Sequence, residues 1–351
     1  MRPGAAQDTL DVSADRFHLW WRQGSKSRAQ TLAAEPTSQY DWPVSEFTPL
    51  CLRLFPFEWR DFSPLEGPVQ LQSLHFSPLI PGNLREASLP VHVVVWRAHN
   101  CSPMPVEAAL MLTWACGWPD MVQAAEFDMQ HDNLCITGSL GDPASAVRQG
   151  IAVPDLHSHG IYLQGMEPWD PTGNGGELWS DFAEDGELDS AVVGKPPHAA
   201  AAWVKFDLDP GEVKEIPFVI VWHFPTYEAG PMAGKHRYYT QFLGKYRPDN
   251  AIVWLAEEAV QNYGTEAANY KHWISQISDW HEAVLSNPAY TGPEHCEQIN
   301  GLGALVECSL SLTAEGKAAA AIAMDQLKKL EIGIPLDALW PEIGAGLTRM
   351  R

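Results

Sequence analysis

The sequence predicts a mainly β protein, in which a two-sheet antiparallel β-sandwich is followed by amphipathic linker helices and a short helical tail. Three observations support this fold class. Apolar residues alternate with a period of two from about Phe17 to Phe224, with no helical pattern between the strands. The chain contains 28 Pro, 27 Gly and 15 Trp, which suits many short strands joined by turns. After Gly244 the apolar spacing changes to that of helices.

The strand at residues 106–114 shows the simplest alternation. Five apolar residues fall on one face: Val106, Ala108, Leu110, Leu112 and Trp114. Glu107 and Thr113 take the other face, so the pattern predicts a half-buried antiparallel strand.

The strand at residues 89–100 carries apolar residues on both faces. One face has Val91, Val93 and Val95, and the other has Val94 and Trp96. A strand that is apolar on both faces is expected to lie centrally between two layers. We expect it to pair with residues 106–114 across the turn that begins at Asn100.

Residues 202–224 predict a β-hairpin. Apolar residues alternate before and after a DPGE turn at residues 209–212: Ala202, Val204, Phe206 and Leu208, then Ile216, Phe218, Ile220 and Trp222. Pro217 has no N–H to donate, so we expect it at a sheet edge or a bulge. Several such strands without helices between them favour a sandwich.

Two amphipathic helices are predicted after residue 245. Asn250 can cap the first and Gly264 can end it, and its apolar residues have helical spacing: Ile252, Leu255, Ala256, Ala259 and Val260. The second is predicted from about Glu266 to Asn287, with a wide apolar stripe: Trp273, Ile274, Ile277, Trp280 and Val284. We expect this stripe to be exposed, and self-association through Trp273, Ile277 and Trp280 to follow.

The domain organisation follows from these patterns. We expect a leader at residues 1–15, a β-sandwich at 16–245, linker helices at 246–289 and a tail at 290–351. The tail contains an Ala-rich helix pattern that Thr313 can cap, and it is too short to form another enzyme domain.

Charge and cysteine content exclude several classes of function. The net charge is −21, which disfavours nucleic acid and anionic lipid surfaces as partners. The six cysteines include no CxxC pair, so neither a zinc ribbon nor a disulfide scaffold is indicated. The chain shows no signal-peptide or membrane-spanning pattern, and we expect a soluble, cytoplasmic protein with free thiols and no cofactor.

Three groups of residues are candidates for chemistry. His157 and His159 with Asp155 are weak candidates for a metal site, because no second ligand cluster accompanies them, and a loop before the strand IYLQG is the simpler interpretation. An acidic run can bind Ca²⁺ or hold catalytic carboxylates, or it is a solvated loop: Asp181, Glu184, Asp185, Glu187 and Asp189. Four tryptophans can stack on sugars or fill the core: Trp114, Trp118, Trp169 and Trp179. No GxSxG, P-loop, Rossmann or HExxH motif occurs.

The sequence from Phe55 to Trp114 carries a resemblance to a known family. It includes FSPLIPGN at residues 76–83, a Ser-Leu-Pro step at 88–90 into a Val-rich strand, and MLTW at 111–114. These motifs resemble the N-terminal domain of glycoside hydrolase family 116, which includes the non-lysosomal glucosylceramidases, the bile-acid β-glucosidases and bacterial β-glucosidases, and the chain is most similar to the cyanobacterial-type members. The LDPGEVKEIPFVIVWHFP and KHRYYTQFLGKYRPDNAIVWLAEEA segments extend the resemblance toward Pro288.

The resemblance implies that this chain is a truncated part of such an enzyme. In the family, an (α/α)₆ toroid after the sandwich supplies a glutamate nucleophile and an aspartate acid/base, and residues 290–351 do not resemble it. We therefore assign no catalytic residue and expect no turnover by the chain alone. Two alternatives stay open: a stand-alone carbohydrate-binding protein that uses exposed Trp, and a hydrolase built on His157, His159 and the acidic run.

Overall fold

The computed structural model describes most of the first 301 residues and a few beyond them. The described ranges are 15–33, 39–45, 48–63, 65–114, 126–128, 134–140, 147–157, 160–161, 163–171, 173–189, 199–227, 233–244, 251–264, 266–267, 270–288, 292–301, 311–312, 314 and 318–319.

Within these ranges, two antiparallel sheets face each other. The smaller sheet has the order β11-β12-β7-β1-β2. Its strands are β1 (Arg16–Gln23), β2 (Lys26–Thr31), β7 (Val106–Trp114), β11 (Leu163–Trp169) and β12 (Ala199–Leu208). The larger sheet has the order β3-β4-β5-β6-β13-β10-β9-β8. Its strands are β3 (Leu50–Leu54), β4 (Phe57–Asp61), β5 (Val69–Phe76), β6 (Val91–Asn100), β8 (Glu126–Asp128), β9 (Leu134–Leu140), β10 (Val147–Ala152) and β13 (Val213–His223). The predicted two-sheet sandwich is confirmed.

Helices cover the outer faces of both sheets. They are α1 (Leu84–Ala87), α2 (Gly176–Asp185), a 3₁₀ helix (Tyr238–Phe242), α3 (Ala251–Asn262), α4 (Trp273–Leu285) and α5 (Gly292–Gly301). Two short pairs complete the described elements: β14 (Glu266–Ala267) with β15 (Tyr270–Lys271), and β16 (Ser311–Leu312) with β17 (Ala318–Ala319). None of the helices in the described ranges is long and apolar enough to cross a membrane.

The core lies in three layers of buried side chains. Between the sheets, Leu110 of the smaller sheet packs in one cluster with Val94 and Trp96 of the larger. The opposite face of β6, with Val93, packs against α3 and α4. The central position predicted for residues 89–100 is therefore confirmed, because β6 is apolar on both faces and both are covered.

The outer face of the smaller sheet is also covered. Residues 106–114 form the predicted antiparallel strand, but the prediction that only one of its faces is buried is wrong. Ala109 and Met111, on the outer face of β7, are buried in an aromatic cluster with Trp20 and Phe182. The alternation of apolar residues correctly predicted the face of β7 that points toward the other sheet. The small and apolar residues at 109 and 111 also allow α2 to pack against the opposite face of the smaller sheet.

Both predicted strand pairings are wrong, because each turn passes from one sheet to the other. β6 lies in the larger sheet and β7 in the smaller, where β7 pairs with β1 and β12. The DPGE turn likewise joins β12 of the smaller sheet to β13 of the larger. The strands themselves form as predicted, but these two connections are arches between sheets rather than hairpins.

Asn100 holds the two arches together. It is fully buried, and its side-chain NH₂ donates hydrogen bonds to the carbonyls of Met104 (2.8 Å) and Leu208 (3.0 Å). Its backbone N–H donates to Glu212 and its carbonyl accepts from Gly211, each at 3.0 Å. One asparagine therefore satisfies polar groups of both connections at the same end of the sandwich.

Pro217 lies where β13 has a partner on one side only. β6 pairs with β13 over Val213–Val221, with Pro217 opposite Val95, whereas β10 pairs with β13 only from Val219 onward. The missing N–H therefore costs no ladder hydrogen bond, and the expected local edge is confirmed.

The linker helices differ from the prediction in one boundary and in their exposure. The first is α3, whose predicted cap, Asn250, lies outside the described residues. The second begins only at Trp273, because residues 266–271 include the short pair β14–β15. The predicted exposed stripe is wrong for Trp273 and Ile277, which are 1% and 0% exposed and pack on the larger sheet. Self-association stays a prediction, without that surface to support it. The Ala-rich tail segment lies almost entirely outside the described residues.

Candidate functional site

An apolar surface lies at the edge of the larger sheet, and we call it the apolar edge surface. It consists of four exposed side chains: Leu50, Leu52, Trp59 and Leu285. Leu52 is 60% exposed and stands opposite Trp59 in the β3–β4 pairing. Because β3 is the edge strand, one side of its backbone has no partner strand in the described part of the molecule. Exposed apolar residues on an edge strand are typical of a surface that another element covers.

A groove of about 500 Å³ runs between the β3–β4 hairpin and α4, beside this surface. It is lined by Leu54, Phe57, Trp59, Ser278, His281, Glu282, Leu285 and Ser286. Phe57 forms a buried floor and contacts the rings of Phe76 and His281 edge-on, with centroids 5.5 and 5.3 Å apart. The floor is rigid because its aromatic rings belong to the core beneath α4.

Two side chains, one from α4 and one from α5, fix the hairpin turn. The Nε2–H of His281 donates to the carbonyl of Phe55 at 2.9 Å, and burial lowers the pKa of this imidazole. From α5, the Oδ1 of Asn300 accepts the backbone N–H of Phe55 at 2.9 Å. α5 therefore lies against the β3–β4 hairpin, beside the apolar edge surface.

The opposite face of the hairpin is strongly polar. Glu58 accepts hydrogen bonds from Arg53 (2.6 Å) and Arg60 (2.7 Å). Burial raises the pKa of Glu58, but the hydrogen bonds and charges of the two guanidinium groups outweigh it and hold that pKa below its ordinary value. The lowered pKa favours the ionised form of Glu58, which suits an ion pair better than proton donation.

Two half-buried imidazoles lie behind that ion pair. The rings of His75 and His92 are 5.8 Å apart, and the Nε2 of His75 is 3.0 Å from the hydroxyl of Ser73. Burial, with a smaller contribution from the Arg60 charge, lowers the pKa of His75 to about 2 and that of His92 to about 4. Both rings are therefore neutral near pH 7.

The structure places the metal-site candidates only in part. His157 contacts the carboxylate of Asp155 through its backbone N–H and its Nδ1, which closes a local turn at the surface. His159 lies outside the described residues. Among the residues that the structure does describe, no group of three or more His, Cys, Asp or Glu side chains could hold a metal ion.

The acidic run is a helix and its cap rather than the loop expected from the sequence. Asp181, Glu184 and Asp185 lie on α2, which ends at Gly186 with a φ of 84°. Asp181 accepts the backbone N–H of Asp189 at 2.9 Å. Burial, together with the charges of Asp189 and Asp185, raises the pKa of Asp181. Glu187 pairs with Lys205 at 2.6 Å, so the run stabilises the C-terminal end of α2.

The tryptophan candidates lie in different environments. Trp169 is buried in the aromatic cluster outside the smaller sheet, and its Nε1–H donates to the carbonyl of Ala200 at 3.2 Å, so it has no face open to a sugar. Trp179 is half-buried on α2, and Trp114 is half-buried against Trp222. Trp118 lies outside the described residues.

The apolar edge surface was not predicted from the sequence. Its signal is the pair Leu50 and Leu52, which lie on one face of a short strand.

Comparison with known protein families identifies the family of this chain. A family model described as beta-glucosidase 2, glycosyl-hydrolase family 116 N-term, matches residues 2–266. The match begins ahead of Arg16, in the stretch that we expected to be an unrelated leader.

Two solved structures are similar at low identity. A protein assigned as a kojibiose phosphorylase, from the human microbiome, is 7% identical with a TM-score of 0.42, over 83% of this chain and 31% of that one. The heparan sulfate lyase HepC from Pedobacter heparinus is 7% identical with a TM-score of 0.28, over 54% of this chain and 23% of that one. The chain thus spans less than a third of either protein, and neither likeness is close enough to carry a function to it.

Proposed function

Because the chain belongs to the family described as beta-glucosidase 2, glycosyl-hydrolase family 116 N-term, we propose that it is the non-catalytic β-sandwich of a β-glucoside hydrolase. The parent reaction is hydrolysis of β-glucosidic bonds. A β-glucoside or a glucosylceramide binds through the helical (α/α)₆ domain that the family resemblance implies, and this chain supports that domain. The match over residues 2–266 is the observation that carries the proposal.

The chemistry of a retaining glycosidase supports this division of labour. One carboxylate attacks the anomeric carbon while a second carboxyl group, about 5–5.5 Å away, protonates the leaving oxygen. The acid needs a raised pKa, whereas two arginines lower the pKa of Glu58. Asp181 has a raised pKa, but it serves α2 by accepting a hydrogen bond from the backbone N–H of Asp189.

The apolar edge surface is the proposed contact with the helical domain. It continues the buried face on which α4 packs, and α5 contacts the same hairpin. Covering one large apolar side chain is worth about 1.5–3 kcal/mol, so Leu52 and Trp59 together can contribute several kcal/mol to such an interface.

Activity measurements test the proposal first. We expect the purified chain to release no aglycone from an aryl β-glucoside or from glucosylceramide. Turnover that survives repurification, and that replacement of His157 or Asp185 abolishes, would contradict the proposal and support a hydrolase built on those residues.

Binding measurements test the surface. A separately produced (α/α)₆ domain from a β-glucosidase of the same family should bind the chain, and Leu52→Ser with Trp59→Ser should weaken binding at least tenfold, which corresponds to about 1.4 kcal/mol. Leu163→Ser is the matched control, because Leu163 is 48% exposed on β11 at the edge of the smaller sheet. An equal loss with the control would show that the surface is not the contact.

A further inference from the structure

A thiol and an imidazole lie in contact at the arch between β6 and β7. The Sγ of Cys101 is 3.2 Å from the Nδ1 of His99, near the end of β6. The backbone N–H of Cys101 donates to the carbonyl of Pro68 at 2.9 Å, which fixes the thiol beside the ring. Cys101 is exposed, as are Cys51 and Cys296. Among these three thiols, Cys101 is the one for which the described structure shows an imidazole contact.

A polar pocket of about 160 Å³ adjoins this pair. It is lined by Ser63, Gln70, Gln72, Arg97 and His99. Arg97 and His99 lie two residues apart on one face of β6, opposite Gln72 and Gln70 of β5. The guanidinium of Arg97 makes no side-chain hydrogen bond or ion pair with any described residue, and this includes its cross-strand neighbour Glu215. The side chain of Gln72 hydrogen-bonds the carboxylate of Asp61, so the guanidinium of Arg97 and the amide of Gln70 are the groups available to an anionic molecule next to the thiol.

We propose that Cys101 is a thiol-modification site that reacts with anionic low-molecular-weight disulfides. The imidazole of His99 takes the thiol proton, and the thiolate attacks one sulfur of the incoming disulfide. The S–S bond of the reagent breaks, a mixed disulfide forms on Cys101, and the other half of the reagent leaves as a thiolate. Arg97 holds a carboxylate of the reagent in the pocket. No external oxidant is needed, because the disulfide itself is reduced as Cys101 is oxidised.

Site-resolved labelling of the full chain tests this inference. The probes are dithiobis(nitrobenzoate), a dianionic disulfide, and dithiodipyridine, a neutral one, and peptide mass spectrometry follows each cysteine. With the dianionic probe, Cys101 should react about tenfold faster than Cys51 and Cys296. His99→Gln should remove that advantage and leave the rates of Cys51 and Cys296 unchanged.

Arg97→Gln separates the pocket from the imidazole. It should slow the reaction of Cys101 with the dianionic probe severalfold and leave its reaction with the neutral probe unchanged. Equal rates at Cys101, Cys51 and Cys296 in the unmodified chain would overturn the proposal, and this comparison needs no variant to fold. An unchanged Cys101 rate in a folded His99→Gln protein would overturn the role of the imidazole. An equal effect of Arg97→Gln on both probes would overturn the preference for anions.

Discussion

Replacing Asn100 with alanine should destabilise the sandwich more than its single small side chain suggests. The change removes a hydrogen-bond donor from two carbonyls, those of Leu208 and Met104. The carbonyl of Met104 still accepts from the hydroxyl of Ser102 and the side-chain amide of Gln23. Leu208 is fully buried, so its carbonyl carries a full desolvation penalty of about 1–3 kcal/mol. Met104 is exposed, so water can replace the second donor at a cost of about 1 kcal/mol or less. The expected loss in the free energy of unfolding is therefore about 1–4 kcal/mol.

Urea unfolding followed by tryptophan fluorescence measures this loss as a lower midpoint at constant slope. Asn100→Asp is the sharper variant, because it keeps the shape and the acceptor oxygen of the side chain but removes the donated hydrogens. It should be at least as destabilising as the alanine variant. Ser102→Ala is the control, since Ser102 lies in the same turn and is only half-buried, and it should cost less than about 1 kcal/mol. A loss below about 0.5 kcal/mol for both Asn100 variants would refute the claim that Asn100 holds the arches together.

Three further predictions concern buried groups and metal. Trp273→Phe should lower stability by about 1.5–3 kcal/mol in thermal or urea unfolding, because it removes the 2.8 Å hydrogen bond from the indole to the buried carboxylate of Glu86. Trp280→Phe, at a half-buried position, should have little effect, and equal losses would contradict this role of Glu86. The pKa of His92 is lowered to about 4 in the folded state, so the unfolded state takes up its proton first. The contribution of His92 to stability should be complete above about pH 6.5 and fall by up to about 1.4 kcal/mol per pH unit toward pH 4, in addition to the contributions of His75, His18 and His223, whose pKa values are also lowered. His92→Asn should reduce the loss of stability between pH 7 and pH 5 in urea unfolding, and an unchanged loss would show that His92 does not contribute to it. If the segment from His157 to His159 holds no ion, a chelator should leave the melting temperature unchanged, whereas a drop of several degrees would reveal a bound metal.

The sequence predicts the positions and faces of strands better than their partners. The two apolar faces of β6 follow directly from Val93 and Val94, because burial on both sides leaves its mark on every residue. The pairing of the strands does not follow from the sequence, because an arch and a hairpin can have the same short polar turn and the same alternation of apolar residues. What distinguishes them is Asn100, which bonds to residues more than a hundred positions away, and no local pattern contains that contact.

The candidate site was less accessible than the fold. The apolar stripe of α4 was predicted correctly, but its exposure was not. The sequence does not show that Phe57 and Phe76 lie beneath this stripe and cover it. The apolar edge surface depends on β3 being an edge strand, which is a property of the whole sheet order. The pair of Cys101 and His99 is visible in sequence as an i, i+2 spacing, but its meaning depends on the arch that fixes the thiol.

The arches also determine when the chain can fold during synthesis. β7 at the middle of the smaller sheet needs β12 as a partner, and β6 at the middle of the larger sheet needs β13. Because strands joined by an arch cannot pair with each other, the smaller sheet lacks its partner for β7 until residues up to Leu208 have left the ribosome, and the larger sheet lacks its partner for β6 until His223 has done so. Such long-range pairing predicts slow folding and a period during which β6, apolar on both faces, is uncovered on one side. A nascent chain of this protein should therefore depend on chaperones longer than a sandwich of the same size built from consecutive hairpins.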